Sequence, residues 1–159
     1  MKEGRARSRP APWGTKRSRK EEAARAAPPW EVRNVLKGLL ASGVTLGVAA
    51  VFPQHLVLPL LAAVMGLMAG AYPGSAMVSE GGRPTLQWAA AVALVGLGAV
   101  GLWLSPLYLA GAWLLHCSWS LLHQVTSLGD GVAEGLPPFS CTFGLVMAGF
   151  VAYLWLAGW

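Results

Sequence analysis

His116, Trp119, Ser120 and His123 recur at i, i+3, i+4 and i+7, the spacing that puts side chains on one stripe of an α-helix. Cys117 stands beside the first of them, and Cys141 follows in the next apolar block. Imidazole and thiol groups are the ones that ligate metals or react as nucleophiles. His116 lies near the middle of an apolar stretch, and an ionisable side chain at that depth in a membrane marks a candidate site by default. The two histidines cannot chelate one ion by themselves. Seven residues of helix separate them by about 10 Å, whereas a zinc ligand nitrogen sits only about 2 Å from its metal. The candidate polar site is therefore His116, Ser120, His123 and Cys141, with His123 and Cys141 expected at similar depth and able to meet. For His116 the expectation is a neutral imidazole bonded to a backbone carbonyl or to a hydroxyl of a neighbouring helix, Ser140 or Thr142. His55 reads as an interfacial residue, and both cysteines as free thiols. No catalytic constellation, metal or cofactor is expected.

The elements that must carry this stripe are membrane helices. From Gly38 to Trp159 the only formal charges are Glu80, Arg83, Asp130 and Glu134, all in gaps between long apolar blocks. About 20 helical residues cross a hydrocarbon core, and each block is about that long. Five spans are predicted: 35–52, 56–78, 85–104, 106–123 and 139–157. Pro53 ends the first, Ser105 makes a tight turn, and Pro106 opens the fourth, where its missing donor is free of cost. Pro73 is expected to kink or end the second span early. Trp88 and Trp103 fall near the ends of the third, at headgroup level. A three- or four-span alternative would require a re-entrant block, for which the second is the candidate. Gly43 with Gly47, and Gly66 with Gly70 and Gly74, have the spacing that lets helices approach closely in lipid, and are expected to pack inside the bundle. The fold class is thus all-α, a polytopic transmembrane bundle of four or five helices.

The chain carries 12% charged residues and 55% hydrophobic ones, against about 25% charged for an ordinary soluble domain. Eleven of the twelve basic residues precede Gly38, so the net charge of +5 belongs to the N-terminal segment. Residues 1–34 read as a disordered basic tail. The first apolar run is too late and too long for a secretory signal. Basic residues beside spans are retained in the cytoplasm, which places the tail, Arg83 and the loop 124–138 inside and the C-terminus outside, in the cell (inner) membrane. Anionic lipid headgroups attract such a tail by about 1 kcal/mol per basic residue. Lipid is therefore preferred to nucleic acid as its partner, although Trp13 could stack on a base.

The stretch HCSWSLLHQ at 116–124, with LPPFSCTFGLVMAGFVAYLW at 136–155, resembles a family of small bacterial multi-pass membrane proteins of no assigned activity. That family carries His, Trp-Asp at i+3 and i+4, and a His-His pair, then a Trp-Tyr-Pro, Phe-Cys and Asp pattern in the last span. His116, Trp119, His123, Pro138, Phe139 and Cys141 match, and the resemblance extends back through Gly70, Ala71, Tyr72 and Gly74. Ser120 stands where the family has Asp, Gln124 where it has the second His, and Gly144 where it has the last-span Asp. The lost carboxylate is the group that would polarise the imidazoles. Asp130 and Glu134, in the loop beside these spans, are the carboxylates that could replace it.

The function expected from this inventory is that of a structural or accessory membrane component, acting through helix contacts with lipid, a membrane-protein partner or a second copy. An intramembrane metal-binding or cofactor-binding protein, or an enzyme using His116, His123 and Cys141, is the alternative. A small transporter is a third reading, though the paired charges and broken helices of that class are missing.

Overall fold

The computed structural model describes residues 30–80, 83–126 and 131–158. Five helices account for nearly all of them: α1 (Trp30–Val51), α2 (Gln54–Val78), α3 (Pro84–Trp103), α4 (Pro106–Val125) and α5 (Leu136–Leu156). The described residues contain no strand. α1, α2, α3 and α5 are long and apolar enough to cross a membrane. α4 has the same 20 residues as α3, but its histidines, serines and Gln124 lower its apolarity. It packs along both α3 and α5, and so completes an all-α bundle of five helices of spanning length.

Proline sets most of the boundaries. Pro53 is the N-cap of α2, while Pro84 and Pro106 open α3 and α4, positions where a missing N–H removes no helical hydrogen bond. Ser105 caps α4 by accepting from the Leu107 amide at 3.3 Å. Two boundaries differ from the sequence expectation, and one expected stop is absent. The tail as expected over residues 1–29 lies outside the described residues, but residues 30–34 are helical and belong to α1, because backbone hydrogen bonding continues a helix past the end of its apolar stretch. α2 does not end early at Pro73 but continues to Val78, the expected end of the second span; Pro73 is buried and leaves the Ala69 carbonyl without its helical donor. α5 begins at Leu136 rather than 139, since Pro137 and Pro138 fit its first turn.

The neighbour order across the bundle is α2, α3, α4, α5, α1, with α4 and α5 making the most extensive contact and α1 packing on α5 in preference to α2. Inward residues follow a clear stripe. In α2 they are Val57, Leu61, Met65, Ala69, Tyr72 and Ala76. The first four of these meet Leu94 of α3, Leu109 and Trp113 of α4, and Met147, Val151 and Leu154 of α5 in one core. Outside it, leucines and valines face outward on every helix, as expected of surfaces solvated by acyl chains. Trp88 and Trp103 are also exposed, Trp103 at 86%, which suits interfacial rings.

Glycine permits the closest crossings, and not the glycines expected. A Cβ on Gly101 would lie 2.6 Å from the Leu109 nitrogen, and one on Gly38 2.7 Å from the Phe139 carbonyl oxygen. On Gly144 it would come within 3.1 Å of the Trp113 carbonyl. By contrast Gly43, Gly47, Gly70 and Gly74 have nothing within 4 Å, and Gly66 meets only a Val95 methyl at 3.9 Å. The spaced glycines of α1 and α2 therefore do not pack inside the bundle as expected. Small-residue spacing marks a face of a helix, and in lipid nothing in that spacing says whether the face turns inward.

A polar centre at the tail-proximal end of the bundle

The inward stripe of α4 is apolar in its first half, through Leu109 and Trp113, and polar in its second, through His116, Ser120 and His123, all buried. Each polar group meets a helix whose end lies at the same level: the C-terminal half of α2, the start of α3 or the start of α5. The described residues just before α5 lie against that end, with the Ala133 amide donating to Ser75 Oγ at 2.9 Å and Gly135 lying against Asn34.

His123 belongs to a closed ring of hydrogen bonds. Its Nδ1 lies 2.8 Å from the Trp119 carbonyl, its Nε2 is 2.8 Å from Gln87 Nε2, and Trp119 Nε1 donates to Gln87 Oε1 at 3.2 Å. The carbonyl can only accept, so Nδ1 carries the hydrogen. Nε2 is then the acceptor for the Gln87 amide, and the ring of bonds is complete with a neutral imidazole. A second chain runs from the Tyr72 hydroxyl, which donates to Ser120 Oγ at 2.8 Å, to Ser120 donating to the His116 carbonyl at 2.8 Å. Together these bonds tie α4 to α3 and to α2, the interhelical role that polar side chains play in membrane bundles.

His116 is placed otherwise. It is fully buried, and neither of its ring nitrogens has a hydrogen-bond partner. Tyr72 and Trp113 meet it edge-on, at ring-centre distances of 5.6 and 6.1 Å. The expected bond to Ser140 or Thr142 is not made. Thr142 donates to the Pro138 carbonyl of its own helix, and Ser140 Oγ is itself unpartnered. A hydroxyl in a helix can bond the carbonyl four residues back, and Thr142 uses its donor there instead of across the bundle.

Cys141 does not pair with His123. Its sulfur lies 2.6 Å from that of Cys117, across the α4–α5 contact, while His123 is engaged by Gln87 and Trp119. Among the described residues no group of three or more His, Cys, Asp or Glu side chains is arranged to hold a metal ion. Glu134 is exposed and hydrogen-bonds to neither histidine; Asp130 lies outside the described residues. His55 is exposed at the opposite end of the bundle, in a shallow groove with Gln54, Pro59 and Leu102. Gln87 and Tyr72 are the partners that sequence reading undervalued. Gln87 is the one amide side chain in α3, and that isolation was the available signal.

Fold and site together define an all-α, multi-pass membrane bundle with a neutral polar centre inside one end. Comparison of the chain with protein-family models, curated proteins and solved structures gives no match.

Proposed function

We propose that this protein is a non-catalytic accessory component of the cell membrane, acting through contacts of its helix surfaces with lipid and with a membrane-protein partner or a second copy. The observation that carries this reading is the self-sufficiency of the polar centre: Tyr72, Gln87, Trp119, Ser120 and His123 spend their hydrogen bonds on one another and on their own helix. Such a network holds helices together, and none of these five side chains is left aimed at a substrate. The grooves floored by Gly66 and Gly70 beside Trp88, and by Ala90 and Ala93 beside Trp119, lie on the outer faces of the bundle. The unbroken α2 weighs against a transporter, whose sites use interrupted helices.

The test is native electrophoresis of membranes solubilised in a mild detergent. The expected result is an assembly larger than the monomer, dispersed by Gly70→Leu while the variant bundle stays folded. Migration as a monomer from every mild detergent would count against the proposal.

A second reading rests on His116. A buried imidazole with both nitrogens unpartnered supports an intramembrane binding centre. A metal or chromophore that copurifies with the protein and is lost in His116→Ala would favour it over the accessory role.

For orientation, the basic residues before Gly38 and Arg83 support a cytoplasmic tail, with the polar centre at the cytoplasmic end. A reporter active only in the cytoplasm is expected to be active when fused to the N-terminus and silent when fused to the C-terminus. Activity at both ends would remove one span.

A further inference from the structure

Cys117 and Cys141 are the chain's only cysteines, they sit on different helices, and their sulfurs lie 2.6 Å apart. The backbone makes this possible. Gly144, three residues beyond Cys141 on α5, brings the two helices so close that a Cβ there would stand 3.1 Å from the Trp113 carbonyl and 3.6 Å from the Cys117 nitrogen. Cys117 and Cys141 therefore face each other at one level of the tightest α4–α5 crossing. A disulfide needs sulfurs about 2.05 Å apart and Cα atoms within about 7 Å, which close backbone crossing favours and which cysteines scattered through a bundle do not meet. Cys141 is partly exposed while Cys117 is buried, so Cys141 is the more accessible residue of the pair.

We propose that Cys117 and Cys141 form a dithiol site that closes reversibly to an interhelical disulfide by exchange with a small-molecule disulfide. Cys141, as its thiolate, attacks one sulfur of the small disulfide. The S–S bond breaks, and one small thiolate leaves and takes up the proton released from Cys141. Cys117 then attacks the Cys141 sulfur of the mixed disulfide, the second small thiolate leaves, and the Cys117 proton goes to it. Two protein thiols are oxidised to one disulfide, and one small disulfide is reduced to two thiols. This is a paired arrangement of attacking and resolving sulfurs, and it does not depend on the accessory reading. Closure would lock α5 to α4 beside Tyr72, Ser120 and His116.

The test uses the full chain purified in detergent, with hydroxyethyl disulfide as the oxidant. After reaction and removal of the reagent, both thiols are expected to stop reacting with a maleimide, with labelling at least about tenfold lower than in the reduced protein. The intact mass should fall by two hydrogens, digestion should release a Cys117–Cys141 linked peptide, and a phosphine reductant should restore both thiols. In Cys117→Ser, Cys141 should instead retain the small-molecule adduct. Wild-type protein that keeps one or both thiols, carries an adduct on each cysteine, or crosslinks only between chains would overturn the proposal. These wild-type measurements decide it even if the serine variants fail to fold.

Discussion

Gly101→Ala is expected to destabilise the bundle by about 2 kcal/mol or more, although alanine is the better helix former by up to about 1 kcal/mol. The added Cβ would lie 2.6 Å from the nitrogen, 2.8 Å from the Cβ and 3.0 Å from the Cα of Leu109. These are mostly backbone positions, and no rotamer change can relieve them. The α3–α4 hairpin would have to open just beside its tight turn, where Ser105 and Pro106 leave little slack. Opening it withdraws Leu109, fully buried, from Leu94 and Met65 in the core. Gly70→Ala is the internal comparison, because nothing lies within 4 Å of the position and an unencumbered helix-interior glycine replaced by alanine is expected to leave stability unchanged or raise it by up to about 1 kcal/mol. Equilibrium unfolding of both variants in mixed micelles checks the pair. Equal stabilities would mean that α3 and α4 do not approach each other as closely as the structure places them.

Gln87→Leu is expected to cost about 1–3 kcal/mol, because it strands two groups at once inside the bundle. Trp119 Nε1 loses its acceptor and His123 Nε2 loses its donor. His123→Leu leaves the Gln87 amide without its acceptor in the same way, while the Trp119 carbonyl keeps its backbone bond within α4. Since both substitutions break one hydrogen-bonded ring, the double variant should be less damaged than the sum of the two. The coupling should be about 1 kcal/mol, near the middle of the range for polar pairs in membrane bundles. His116→Leu provides the contrast. It removes two ring nitrogens that have no hydrogen-bond partner, so stability should be unchanged or higher. A full double-mutant cycle by unfolding in mixed micelles measures all of these. Strict additivity of Gln87→Leu and His123→Leu would dismiss the ring as a unit.

The proposed accessory role and the proposed dithiol site meet at α4. This helix, more polar than the four that rank as spans, is held by α2 and α3 on one side and by its contact with α5, the two cysteines included, on the other. A disulfide at Cys117 and Cys141 would fasten the second side covalently while leaving the hydrogen bonds of the first in place. Helix contacts that depend on the outer surface of α4 and α5 would then respond to the state of the two thiols at their crossing.

Much of the architecture was legible in the sequence for a simple reason. Whether a segment lies in a membrane depends on a local sum over about 20 residues, and the blocks from Val35 onward carry that sum in their own composition. Turns were equally local, as at Pro53 and at Ser105–Pro106, where a missing donor or a capping hydroxyl acts within a few positions. The stripe of α4 was visible because it is polar against an apolar background. What the sequence left undecided was which faces turn inward and which helices become neighbours. In a soluble helix the buried face is the apolar one. In lipid both faces are apolar, and close packing rather than water avoidance selects the contact. Hence the spaced glycines of α1 and α2 gave no sign that they face outward, while Gly38, Gly101 and Gly144, with no distinguishing pattern, sit where backbones nearly touch. The pairing of His123 with Gln87 and of Cys117 with Cys141, across 36 and 24 residues of chain, was decided by the tertiary structure alone, because only the crossing of whole helices fixes which polar groups arrive at the same depth.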